Sequence, residues 1–229
     1  MKNMKQVDLQ FNNFNWQVNI RSQADKSALK EIFEIGEYKD VEQVIKSAKE
    51  SIIDAGAQAG FFILYCRSFN LQIPIYAIEP DEANIEALED HLLLNKIEGV
   101  EIIPGALAEK SGLRDFYIST DTHNHSLYKT LTPQITKTNK IKTFSLDDFL
   151  KEQGIERVSL LKLDIEGAEY EVLNNFNSWN KIDNIVLEYH NFAKFNHLQL
   201  EKLFKDNGYK IKITPSKFDK SLGFITASK

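Results

Sequence analysis

Residues 51–61, SIIDAGAQAGF, hold the pattern that decides the fold. An apolar run ends in the acid Asp54, and a turn of small residues then leads to Phe61 and an apolar helical stretch. In this turn, Gly56 and Gly60 can adopt a positive φ and allow another molecule to approach the backbone closely. A strand, a small-residue loop and a helix at the start of an alternating β/α run are typical of doubly wound folds that bind a nucleoside cofactor.

The rest of the chain continues this alternation. Apolar runs predict five strands, at 52–54, 75–79, 100–103, 158–163 and 182–187. Strands that alternate with helices imply a parallel sheet covered on both faces. Residues 209–213 and 222–226 predict a closing antiparallel hairpin. The polar segment 119–142, with His123 and His125, is expected to form a loop over the pocket and then a strand.

The first 50 residues precede this alternating run. Alternating apolar residues on both sides of Asn12-Asn13 predict a hairpin, and residues 22–35 and 41–48 predict helices. We expect residues 1–50 to cover the pocket and residues 51–229 to form the cofactor-binding domain, as one globular unit.

Composition narrows the class of protein. The chain has 229 residues, of which 42% are hydrophobic, so it is long enough for one well-filled core. The net charge of −5 argues against a nucleic-acid partner. The single Cys66 fits a reducing compartment. Neither a signal peptide nor a run of about 18 apolar residues is present, so we predict a cytoplasmic protein with no membrane partner.

Acidic residues end four of the five predicted strands, where ligands bind in open parallel sheets. These acidic residues disfavour the binding of an anionic pyrophosphate. The G-x-G-x-x-G motif of dinucleotide sites is also absent, because Gln58 and Phe61 replace two of its glycines. S-adenosylmethionine fits better, since its ribose hydroxyls suit Glu79 and its sulfonium tolerates nearby carboxylates. A nicotinamide-dependent oxidoreductase and a binding module without turnover remain as alternatives.

Four blocks carry a resemblance to a known family: IDAGAQAG at 53–60, AIEP at 77–80, LKLDIEGAE at 161–169 and VLEYH at 186–190. Together they resemble the FkbM family of S-adenosylmethionine-dependent methyltransferases, and the K-x-D-x-E-G-x-E block is the most specific. The segment Gly36-Glu37-Tyr38 also looks similar. The resemblance implies a class I methyltransferase fold, Rossmann-like, with a seven-stranded, mostly parallel sheet whose last-but-one strand is antiparallel. It also implies O-methylation, often of sugars or secondary metabolites.

The resemblance also implies roles for individual residues. Asp54, Gly56 and Gly60 would form the wall for the methionine part, and Glu79 with Pro80 would hold the ribose. Further cofactor contacts would come from Ala106, Leu107 and Ser126.

Candidates for catalysis follow strands four and five. They are Asp164, Glu166, Glu188 and His190. We expect His190 to be the best base, because the ordinary pKa of an imidazole lies near neutrality. Alternatively, Asp164 and Glu188 would share a divalent metal such as Mg²⁺, which would orient the acceptor. The expected acceptor is a hydroxyl on a small molecule or carbohydrate.

Overall fold

A central sheet organises the structure, a computed structural model that describes residues 5–120, 125–193, 195–216 and 219–229. The strands are β1 Lys5–Phe11, β2 Phe14–Ile20, β3 Ser51–Ala55, β4 Ile75–Glu79, β5 Val100–Pro104, β6 Ala106–Leu107, β7 Gly112–Ser119, β8 Ile135–Phe144, β9 Val158–Leu163, β10 Asn184–His190, β11 Lys210–Pro215 and β12 Leu222–Ser228. The α-helices are α1 Gln23–Leu29, α2 Glu42–Ser47, α3 Phe61–Arg67, α4 Glu82–Leu94, α5 Leu146–Glu152, α6 Glu169–Asn174 and α7 His197–Asp206. Within the described ranges, no helix is long and apolar enough to cross a membrane.

Seven strands pair in the order β11-β12-β10-β9-β3-β4-β5. All neighbours are parallel except β12, which runs antiparallel to both β10 and β11. The central strands β3 and β9 are buried along their whole length and rich in Ile and Leu, as expected for parallel strands covered on both faces. The predicted α/β class and the antiparallel last-but-one strand are confirmed.

The apolar residues that pack on each face of the sheet show which face the charged residues of the same strands are on. Ile53 and Leu161 pack into the layer that contains α5, α6 and α7, whereas Ile52 and Leu160 pack into the layer of α1, α2 and α3. Side chains alternate between the two faces of a strand. Residues 54 and 162 therefore share the face covered by α1 to α3, and this face carries the cavity described below.

The N-terminal hairpin is confirmed, but it does not cover the pocket. The backbone N–H of Gln17 donates to Oδ1 of Asn95, at the end of α4, with a distance of 2.7 Å. The backbone N–H of Asn19 donates to Nε2 of His91, within α4, with a distance of 2.8 Å. Phe11 packs with aromatic residues of the helical layer. The hairpin therefore extends the helical layer, because its apolar face matches that surface rather than the cavity mouth.

Residues 22–41 approach the cavity instead. Ser22 caps α1 by accepting a hydrogen bond from Asp25 N at 3.1 Å. The predicted helix 22–35 changes halfway into a π-helix, Lys30–Ile35, and ends at Gly36 in the left-handed conformation (φ 77°). A 3₁₀ turn at Lys39–Val41 then leads into α2.

The predicted loop over residues 119–142 is shorter than expected. Strand β8 begins at Ile135 and pairs antiparallel with β7 in a separate sheet of order β6-β8-β7. Cross-strand pairing with β7 extends β8 beyond its apolar end, which sequence periodicity does not reveal. His123 lies outside the described residues, and His125 lines the cavity.

Candidate active site

A cavity of about 900 Å³ opens at the carboxyl ends of the central strands. The cavity is lined by loops and residues at the ends of β3, β4, β9 and β10, and also by residues within 27–40 and parts of β11 and β12. The predicted site residues that line it are Gly56, Glu79, Pro80, Ala106, Leu107, Asp164, Glu166, Glu188 and His190. The other three predicted site residues do not line the cavity and lie behind its wall: Asp54, Gly60 and Ser126.

The two glycines of the first loop serve contacts within the chain. A Cβ on Gly56 would lie 1.8 Å from the backbone oxygen of Asp164, and one on Gly60 would lie 3.1 Å from Leu88 Cγ. Both glycines have positive φ, 77° and 81°. Gly60 thus faces Leu88 of α4, while Gly56 lines the cavity and also lets the ends of β3 and β9 meet.

Glu79 lies at the end of β4 and is held by three donors. Its carboxylate accepts from Gln58 N at 2.8 Å, Asp81 N at 2.9 Å and Asn84 Nδ2 at 3.2 Å. Burial raises the pKa of Glu79 to about 7, although these hydrogen bonds oppose the shift. The side chain is therefore fixed at the cavity wall.

Asp54 lies beneath the cavity in an ion pair. Its carboxylate is fully buried, and Lys162 Nζ approaches it to 3.0 Å. The same ammonium donates to Gly56 O at 2.8 Å and lies 3.7 Å from Asp164. Asp54 is therefore the nearer of the two carboxylates that pair with Lys162. The pair supports the glycine loop from below, because the adjacent strands β3 and β9 put residues 54 and 162 in register.

A tight turn follows β9 and contains an acid that the sequence analysis did not assign to the site. Glu166 and Gly167 both have positive φ, 53° and 96°. Glu169 Oε1 accepts from Ile165 N and Gly167 N, at 3.1 and 3.2 Å, and closes the turn. The helix therefore begins at Glu169, and the carboxylate of Glu169 stabilises the turn that precedes it. The sequence signal for this role of Glu169 was its position two residues after Gly167.

His190 is held between two carboxylates. Its Nε2 lies 3.2 Å from Glu166 Oε2, and its Nδ1 lies 3.5 Å from Glu169 Oε1. Burial lowers the pKa of His190, but the two acids outweigh burial and raise the pKa well above its ordinary value. An imidazolium in this position donates hydrogen bonds and has no lone pair with which to accept a proton.

Glu188 lines the cavity beside this cluster. Burial and the charge of Asp164 raise the pKa of Glu188 well above that of an ordinary carboxyl. Its side chain makes no hydrogen bond or ion pair with any part of the chain that the structure describes. No group of three or more His, Cys, Asp or Glu residues in the described ranges is arranged to hold a metal ion.

Ser126 has a supporting position. Its hydroxyl donates to Glu166 O at 2.6 Å and accepts from Tyr128 N at 3.0 Å. It therefore ties the segment before β8 to the tight turn after β9.

Glu37 reaches the cavity from outside the alternating strands and helices. Its backbone N–H donates to Glu31 O at 3.2 Å, and the next residue, Tyr38, is buried against Phe62. Burial, with the charges of Glu31 and Asp164, raises the pKa of Glu37 to about 8. The sequence analysis noted this segment only as similar to the family, because no periodic pattern places residue 37 beside the strand ends.

A seven-stranded sheet with one antiparallel strand beside its edge, and an acid-lined cavity at its carboxyl end, define a class I methyltransferase fold. The chain belongs to the FkbM methyltransferase family, since the family model "Methyltransferase FkbM domain" matches residues 54–211. Membership confirms the resemblance found in the sequence, with S-adenosylmethionine as the methyl donor of this class.

Individual relatives agree with this assignment. "Methyltransferase 1" of Beauveria bassiana (strain ARSEF 2860) is 31% identical over 159 residues, 60% of this chain and 63% of that protein. "31-O-demethyl-FK506 methyltransferase FkbM" of Streptomyces tacrolimicus is 23% identical over 169 residues, 61% of this chain and 65% of that protein. Each of these two alignments covers less than two thirds of the relative's length.

A solved structure shares the fold. The crystal structure of methyltransferase FkbM from Methylobacillus flagellatus KT has a TM-score of 0.50 and 16% sequence identity. The match covers 78% of this chain and 43% of that one.

Proposed function

We propose that this chain transfers a methyl group from S-adenosylmethionine to a hydroxyl oxygen of a small molecule, a sugar or a secondary metabolite. The observation that carries the proposal is one cavity with two differently placed acids. Glu79 is fixed by backbone and amide donors, and Glu188 faces the cavity without a hydrogen bond to the described residues. The name of the Streptomyces relative includes an oxygen position, 31-O, which supports O-methylation.

The residues present fit the methyl donor. A carboxylate has about four acceptor positions, and three donors contact Glu79, so a position remains for a ribose hydroxyl. Ala106 and Leu107 offer an apolar edge to adenine. When bound, S-adenosylmethionine supplies an electrophilic methyl group on a positively charged sulfur, and the carboxylate of Asp164 is compatible with that charge.

We assign proton removal from the acceptor hydroxyl to Glu188. His190 is held as a donor between Glu166 and Glu169. The raised pKa of Glu188 makes its ionised form a stronger base than an ordinary carboxylate, and it lies nearer the working pH. Holding the acceptor oxygen in line with the methyl group supplies the remaining acceleration.

The proposal is tested by binding and turnover together. Calorimetry should show S-adenosylhomocysteine binding, and a panel of hydroxyl compounds should yield a product whose new methyl group lies on oxygen by NMR. Glu188→Gln should lower kcat by about 10²- to 10⁴-fold, the range for loss of a general base, without weakening S-adenosylhomocysteine binding. Glu34→Gln, an exposed acid of the π-helix, is the matched control. Transfer to nitrogen or carbon, or an unchanged kcat in Glu188→Gln, would contradict the assignment.

A further inference from the structure

Part of the cavity lining comes from residues outside the matched family region. The cavity volume of about 900 Å³ lies near the upper end of the roughly 300–1,000 Å³ of small-molecule sites, and we expect donor and acceptor to share it. The family model matches residues 54–211, whereas residues within 27–40, 212–216 and 219–226 also line the cavity. We expect acceptor recognition to depend on this part of the lining.

An aromatic contact links two acids of the cavity lining. Register places Glu188, Phe224 and Thr214 side by side across β10, β12 and β11. Tyr38 packs edge-on against Phe224, with ring centroids 5.9 Å apart. Glu37 directly precedes Tyr38, and Glu188 is the cross-strand neighbour of Phe224, so the contact connects the segments that carry the two acids, and both acids line the cavity.

The buried cations of the cavity already have partners. Lys162 pairs with Asp54, and His190 lies between two carboxylates. At the mouth, Lys212 Nζ lies 2.6 Å from Asp40 and joins β11 to the segment after Glu37. The remaining lining cation, Lys39, is exposed. In the described part of the chain, neither Glu37 nor Glu188 forms a salt bridge within 4.0 Å.

We propose that Glu37 and Glu188 select an acceptor that carries a protonated amine beside the hydroxyl to be methylated, such as an amino sugar or another amino alcohol. This inference rests on the proposed methyl transfer in the same cavity. Two carboxyls removed from water near each other disfavour the ionised state of both. An ammonium group between them favours that ionised state, whereas a neutral polyol does not.

Proton linkage gives the inference a second readout. With a pKa of about 8, Glu37 is mostly protonated at pH 7. The charged groups that act on it come from three elements: Glu31 on the π-helix, Lys162 and Asp164 in and after β9, and Glu188 on β10. An ammonium stabilises the ionised form, so its binding should release a proton from the protein. Amine affinity should therefore increase from pH 7 towards pH 8.

The test compares matched acceptors on protein saturated with S-adenosylhomocysteine, in buffer with EDTA. Isopropanolamine is compared with propylene glycol, and ethanolamine with ethylene glycol, because both amines stay protonated over this pH range, and binding is measured by calorimetry in buffers of different ionisation enthalpy. The amine of each pair should bind at least about tenfold more tightly, equivalent to one pKa unit of linkage, and should release protons. Glu37→Gln should remove the preference and the proton release, whereas Glu34→Gln should retain both.

Each outcome decides between the two proposals. Equal binding of amine and neutral compounds by the wild type overturns the inference, even if Glu37→Gln does not fold, and leaves O-methylation standing. A large loss of S-adenosylhomocysteine affinity in Glu37→Gln would show that Glu37 binds the ammonium group of the methyl donor, and would also overturn the inference. Failure of the wild type to bind S-adenosylhomocysteine instead overturns the proposed function.

Discussion

At the scale of single residues, the buried charges around the cavity have different roles. Lys162 and Asp54 neutralise each other below the glycine loop, and their contact supports Gly56. Glu79 is held by neutral donors, and burial raises the pKa of this carboxyl although the hydrogen bonds oppose the shift. The first pair therefore holds the glycine loop, whereas Glu79 lies at the cavity wall.

Replacement of Lys162 by Met should be strongly destabilising. It leaves the fully buried carboxylate of Asp54 without a counter-charge, and breaking a buried pair in this way costs about 3–5 kcal/mol. Urea unfolding would measure the loss. The double variant Lys162→Met with Asp54→Leu should recover most of it, and a single variant as stable as wild type would show that the pair is not needed.

Replacement of Glu79 by Gln should weaken S-adenosylhomocysteine binding by about 1.5–3 kcal/mol, the range for hydrogen bonds to a charged group. Since the pKa of Glu79 is about 7, the accepting carboxylate forms as the pH rises from 6 to 8. Wild-type affinity measured by calorimetry should rise over that interval, and the variant's affinity should be nearly flat. Identical pH profiles of the wild type and the variant would show that Glu79 does not bind the ribose.

At the scale of elements, close approach between loops shapes the site. The loop after β3 and the turn after β9 touch through Gly56 and the backbone of Asp164. Glu169 and Ser126 then hold the turn itself. Asp164 and Glu166 are thus presented at the cavity by a turn whose geometry depends on the loop after β3.

Gly56→Ala tests this dependence, with Gly208→Ala as a matched control. Both glycines have positive φ, 77° and 82°, but a Cβ at Gly208 meets nothing within 4 Å. The control should lose only the roughly 1–2 kcal/mol of a left-handed non-glycine residue. Gly56→Ala should lose clearly more in urea unfolding, and its S-adenosylhomocysteine binding should fall. Equal losses in the two variants would mean that the loops can separate freely.

At the scale of the whole molecule, the cavity collects carboxyls whose pKa is raised in the folded state. Glu37 and Glu79 have pKa values of about 8 and 7, against 4.5 for an ordinary Glu, and the pKa values of Glu166 and Glu188 are raised too. Burial is the first cause in each case. The folded protein therefore binds protons that the unfolded chain releases.

Stability should accordingly depend on pH in a defined direction. Because the folded chain holds more protons between about pH 4.5 and 8, the free energy of unfolding should fall as the pH rises through that window. Urea unfolding at pH 5, 6.5 and 8 would measure the slope. The Glu37→Gln, Glu79→Gln double variant should show a smaller slope than wild type, with Glu34→Gln as control; an unchanged slope would contradict these shifts.

Local pattern in the sequence determined the order of strands and helices, the capping of α4 by Asp81 and the acids at the strand ends. It could do so because backbone periodicity and cap chemistry involve neighbouring residues. Only the tertiary structure decided that Asp54 lies beneath the cavity and that the hairpin packs on the helical layer. Likewise, it brought Glu37 to the cavity and held His190 between Glu166 and Glu169. Burial and charge pairing depend on residues that lie far apart in the chain, so no local pattern contains them.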